Sequence, residues 1–126
     1  MKLIKNSDVP YRDFGDGLTL KVLISKQEGA NNLDLGAVEI PPHSRTTMHT
    51  RDVEEVIYMA EGSGSVVLET GEEYFLEKGD CMLISPFVTH CHVNNADEPL
   101  KQLFIFAPQA GEETQKVIRE LKIIEK

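Results

Sequence analysis

The sequence predicts an all-β barrel or sandwich with one short helix at its C-terminal end. Three observations lead there. Short runs rich in β-branched residues and leucine follow one another through most of the chain. Turn residues separate them at roughly the 8–12-residue spacing of an all-β domain. Only the tail beyond Pro108 carries a helical period.

The elements follow in order. Leu18 to Ser25 (LTLKVLIS) and Leu33 to Ile40 (LDLGAVEI) read as strands parted by the turn-like EGANN, and Pro41-Pro42 ends the second because proline cannot donate to a ladder. Val53 to Ala60 (VEEVIYMA) is the next strand, closed by Glu61-Gly62-Ser63-Gly64. That glycine-rich segment lacks the lysine and helix of a phosphate loop and is read as a turn. Ser65 to Glu69 and Glu72 to Leu76 flank Thr70-Gly71 as a hairpin. Lys78-Gly79-Asp80 precedes a strand at Cys81 to Ser85; His90 to Asn94 and Leu100 to Ala107 complete the series of strands. In the tail, Val117, Leu121 and Ile124 form one apolar stripe, so a helix over about 111–124 is expected to pack on the outside of a core spanning about 15–108. With 126 residues and no linker or repeat, the expectation is one domain over 1–126.

Charge narrows the function. Twenty-one acidic and 13 basic side chains give a formal net charge of -8. A surface of that sign repels phosphate backbones and anionic lipid headgroups, so neither nucleic acid nor membrane is expected as a partner. The opening MKLIKNSDVP lacks the apolar core of a signal peptide, and a cytoplasmic location is expected. Two cysteines, Cys81 and Cys91, are too few for a disulfide framework and have no zinc-ribbon spacing; both are read as reduced side chains.

The four histidines carry the chemistry. His43 and His49 precede a strand that opens with Glu54 and Glu55, and His90 and His92 follow a Gly-Asp turn and Pro86. Imidazole and carboxylate together suit Mn, Fe, Ni, Cu or Zn. A strand sends residues i and i+2 to one face, so His90 and His92 can meet one ion while Cys91 points away. Glu55 shares its face with Ile57 and Met59, whereas Glu54 faces solvent. Phe104 and Phe106 alternate inward on the last strand, and His43, beside two prolines, belongs on the surface.

The spacing resembles the cupin pattern, G-x5-H-x-H-x3-4-E-x6-G followed by G-x5-P-x-G-x2-H-x3-N. Gly79, His90 and Asn94 keep the second half's spacing, with Pro86 one place late and Phe87 at the second glycine. Glu55 to Gly62 fits E-x6-G, and VIYMAEG is similar to the strand ending common in cupins. The resemblance covers about residues 35–107. In the first half Thr47 stands where the first histidine would be, Pro41 where the glycine would be, and the loop Thr50-Arg51-Asp52 holds one extra residue between His49 and Glu55.

The resemblance implies a cupin double-stranded β-helix, or jelly-roll, barrel holding one divalent transition metal. Carried over residue by residue, the ligands are His49, Glu55 and His90. His92 is added by inference from the residues, as the imidazole that Thr47 does not supply; the alternative is a histidine filling the barrel wall. Thr47 is expected to point inward with His49. The family implies an oxygenase, isomerase, lyase or decarboxylase acting on a small oxygen-bearing molecule, with the metal as Lewis acid or O₂ site. The competing expectation is a non-catalytic cupin that binds a small molecule, with or without metal. A homodimer is expected as well, since Leu18 to Ser25 would be a long apolar edge if left exposed.

Overall fold

Antiparallel pairing dominates the computed structural model, which describes residues 1–125. Its strands are β1 (Tyr11–Gly15), β2 (Leu18–Ile24), β3 (Asp34–Ile40), β4 (Ser44–Arg45), β5 (Glu54–Glu61), β6 (Gly64–Leu68), β7 (Glu73–Leu76), β8 (Cys81–Ile84), β9 (His90–Asn94), β10 (Leu100–Ala107) and β11 (Ile123–Ile124), and its helix is α1 (Glu112–Arg119). One sheet runs β11-β1-β2-β3-β10-β5-β8 and the other β4-β9-β6-β7.

Alternation sets which side chains enter the barrel. On β10, Leu100, Gln102, Phe104 and Phe106 are buried, while Leu103 and Ile105 lie toward the outside. On β5 the buried set is Glu55, Ile57 and Met59, with Glu54 and Tyr58 exposed. The apolar members, Leu100, Phe104, Phe106, Ile57 and Met59, join Leu18, Leu20, Ile40, Val66, Leu76 and Ile84 in one apolar core. Gly36 on β3 lies directly opposite Phe104. A Cβ there would collide with the Phe104 ring and come within 2.8 Å of the Lys21 carbonyl, so this pairing requires glycine.

Three expectations change. Leu18–Ile24 is not an edge: β1 pairs with it on one side and β3 on the other. β1 was not foreseen; it turns into β2 through Gly15, Asp16 and Gly17, all at positive φ. The helix stops at Arg119, because the β-branched pair Ile123–Ile124 instead joins β1, with Tyr11 opposite Ile124. The apolar stripe shifts in consequence. Val117 is 59 % exposed, and Ile118 and Leu121 pack on the core.

The helix is also not merely laid on the outside. Ile118 lines a cavity among the inward side chains of β2, β3 and β10, so α1 covers that end of the barrel. The buried Asp34 carboxylate anchors it, accepting hydrogen bonds from the Ala110 N–H (2.8 Å) and from Gln115 Nε2 (3.0 Å). No helix among the described residues is long and apolar enough to cross a membrane.

Candidate metal centre

β9 brings the first two histidines. His90 and His92 both face inward, 0 % and 5 % exposed, with ring centroids 5.1 Å apart. Cys91 between them pairs with Val67 and is buried on the opposite face. Asn94 ends the strand and locks it: its amide donates to the carbonyls of Ile40 (3.0 Å), Pro41 (3.2 Å) and Glu98 (2.9 Å).

His49 arrives from the segment after β4. Its backbone forms an isolated bridge with His90, N–H to carbonyl in both directions (2.8 and 2.9 Å), which puts the two rings 4.4 Å apart. The extra residue between His49 and Glu55 is taken up in the loop, and both side chains reach the same place. One donor atom from each of His49, Glu55, His90 and His92 lies within 4.8 Å of every other. Donors bonded to one ion at about 2.1 Å stand at most roughly 4.2 Å apart, so a small contraction seats all four.

Thr47, expected inside, is exposed. The alternation of β4 runs on through Thr46 and Thr47 and breaks at the exposed Met48, so Thr46 turns inward instead, its hydroxyl accepting the His92 N–H at 2.9 Å. Thr47 contributes its carbonyl, which accepts from His49 Nδ1 at 2.9 Å. The Val88 carbonyl accepts from His90 Nδ1 at 2.7 Å. A carbonyl only accepts, so both Nδ1 atoms carry the proton and both Nε2 atoms present lone pairs.

The electrostatics follow from this arrangement. His90 Nε2 is 3.4 Å from Glu55 Oε1, and His92 Nε2 is 4.0 Å from Glu55 Oε2. His90 Nε2, Glu55 Oε1 and His92 Nδ1 are all buried without a hydrogen-bond partner. Lone pairs facing one another in a dry site are costly unless a cation lies among them. Burial pushes the His92 imidazole down to about 3, and burial likewise lowers His49. For Glu55, burial alone would raise the carboxyl, but the contact with His90 and the electrostatic attraction of the neighbouring His92, His90 and His49 outweigh it and its pKa falls below the ordinary value. The donor set, neutral imidazoles with one carboxylate, fits a divalent transition metal.

The donors border a narrow cavity with about 50 Å³ open to water-sized spheres, room for a few waters at roughly 10–15 Å³ each. Its walls are Phe14, Leu20, Val38, Phe104, Phe106 and Ile118, with Thr46, Arg51 and Gln102 as polar members. Sequence reasoning passed over Thr46, Arg51 and Gln102; a glutamine alternating with Leu100 and Phe104 was a legible signal. His43 stays outside, paired with Asp97 at 2.8 Å, and Glu54 faces away.

Phe87, at the place of the pattern's second glycine, has a φ of +66° and is exposed. Its N–H donates to the Arg51 carbonyl at 2.8 Å, fixing the loop that carries Arg51.

Comparison with known proteins agrees with this architecture. A family model described as "Cupin domain" matches residues 36–106. No curated protein matches the sequence. Among solved structures, the polyketide cyclase RemF from Streptomyces resistomycificus superposes with a TM-score of 0.79 at 21% identity, over 100% of this chain and 87% of its own. KdgF from Halomonas sp. gives 0.77 at 19% identity, over 90% and 98%. A predicted oxalate decarboxylase from Thermotoga maritima gives 0.74 at 18% identity, over 85% and 99%. Identities this low establish a shared fold.

Proposed function

The chain belongs to the cupin domain family, and from that premise we propose that it holds one divalent ion, Mn, Fe, Ni, Cu or Zn, through His49, Glu55, His90 and His92 and acts with it on a small oxygen-bearing molecule. The carrying observation is the gathering of one donor atom from each of His49, Glu55, His90 and His92 within 4.8 Å of every other, with His90 Nε2 and Glu55 Oε1 buried and without a hydrogen-bond partner. His92 takes the place of the imidazole that the family pattern sets at Thr47. When bound, the ion supplies Lewis-acid or O₂ chemistry.

The chain's own residues do the rest. The carbonyls of Thr47 and Val88 hold two imidazoles in the ligating tautomer, and the apolar walls with Ile118 keep bulk water out. The similar structures carry names that include a cyclase and a predicted decarboxylase, and an activity of that broad kind is the first reading. A non-catalytic ligand-binding cupin is the second. It is favoured by the cavity lining, where His49, Glu55 and His92, all proposed metal donors, are the only acid or base side chains besides Arg51.

The test is elemental. Protein purified without chelator should carry close to one divalent ion per chain by mass-spectrometric metal analysis. His90→Ala should lose it. His92→Phe should weaken metal binding at least tenfold, about 1.4 kcal/mol. Occupancy below one tenth, not restored by adding any of the five metals, would refute the proposal. Unchanged affinity in His92→Phe would reduce the donors to three.

A further inference from the structure

Arg51 is the one lysine or arginine in the cavity lining, and it has no counter-ion. Its Nε is buried without a hydrogen-bond partner. Its guanidinium carbon lies 5.8 Å from the centroid of the Phe106 ring, and no ion pair among the described residues includes it. Two other cations differ from it. Lys21, also buried, donates to the backbone and side-chain oxygens of Asn6 and sits over Tyr11; Lys26 meets Glu112.

Charge counting shows what the cavity lacks. Imidazoles are neutral when they ligate a metal, so Glu55 and Arg51 cancel and a divalent ion leaves two positive charges beside phenylalanine rings. Uncompensated charge in such surroundings is costly and is relieved by an anion. The planar guanidinium fork matches a carboxylate, two oxygens to two N–H groups. A phosphate fits less well, because beyond the fork only two neutral donors in the lining, the Thr46 hydroxyl and the Gln102 amide, would meet its further oxygens and charge.

We propose that Arg51 binds the carboxylate of a small organic acid whose apolar body lies against Phe104, Phe106 and Ile118, with that acid as the ligand of the four-donor cluster. The assignment rests on the metal-site reading for the charge it balances. It names a substrate class that the donor cluster alone does not select.

The experiment is calorimetric binding to zinc-loaded protein, using unbranched acids from acetate to hexanoate beside the corresponding neutral amides. In wild type at least one acid should bind tenfold or more tightly than its amide. Arg51→Met should abolish that preference while zinc per chain is unchanged, and Arg51→Lys, which keeps the charge and loses the fork, should retain part of it. Equal binding of acid and amide by wild type overturns the assignment without any variant. So does no binding of either, or an intact preference in Arg51→Met. If zinc is not held yet the acid preference appears and falls in Arg51→Met, the metal reading fails and the role of Arg51 stands.

Discussion

His92 is kept neutral by its own burial, and that makes the metal-free protein sensitive to acid. In the unfolded chain an imidazole takes its proton near 6.5; in the fold His92 does so at about 3, because burial disfavours the charged form. Between those values the unfolded state binds more protons, so stability rises with pH there: it is fully present above about 6.5 and lost as pH falls toward 3. His49 is lowered for the same reason, and Glu55, whose pKa is also depressed, acts with the same sign. In chelator, the urea midpoint should therefore drop from pH 7 to pH 4, and His92→Phe should show a shallower drop; parallel curves would deny His92 its part. At this scale the sequence was legible where local spacing decided the outcome. His90 was found because Gly79, in the turn before β8, and Asn94, at the end of β9, stand at the pattern's spacings from it. Thr46 was missed in favour of Thr47, since alternation was carried back from His49 across Met48, where it breaks. Arg51 was read as part of an insertion, and nothing local says that such a loop folds back over Phe106.

Among the elements, β3 and β10 are fitted to each other most closely, and Gly36 is where that fit shows. Gly36→Ala would push the Phe104 ring toward the cavity or part the strands. Overpacking of this kind costs about 1–3 kcal/mol, so the urea midpoint should fall with the m-value unchanged; an unaltered midpoint would mean that the ring moves aside freely. Strands with strong β-branched or alternating patterns were legible nearly to the residue, His90–Asn94 and Leu100–Ala107 among them. β1 and β11 were not. Each is short; β11 has its partner β1 more than a hundred residues away, Tyr11 opposite Ile124, which no local window contains, while β1 also makes a local hairpin with β2 that was passed over. The helix register failed with them, because assigning Ile124 to the helix moved the stripe from Ile118 to Val117.

For the whole molecule, the outer face of the larger sheet bears on assembly. Leu83, Val56, Ile105 and Leu35 form a row across four adjacent strands, flanked by Tyr58 and Leu103. Leu83 is 61 % exposed and Ile105 36 %. Two copies that each carry a net charge of -8 meet with least repulsion along this apolar row, and a two-fold contact lets the row cover its own equivalent. A homodimer through this face, in place of the β2 edge, should give about twice the 14.1 kDa chain mass by light scattering, and Leu83→Lys should return it to monomer. A monomer at micromolar concentration in the wild type would reject it. The placement of β10 between β3 and β5 reaches further, into how the chain finds its fold. Leu100 must meet Ile40 across about half of the sequence, and pairings of such separation close slowly. Residues 49, 55, 90 and 92 are then gathered only once both sheets stand. An ion arriving there leaves the folding rate alone and slows unfolding, because it holds a contact that the transition state has yet to make.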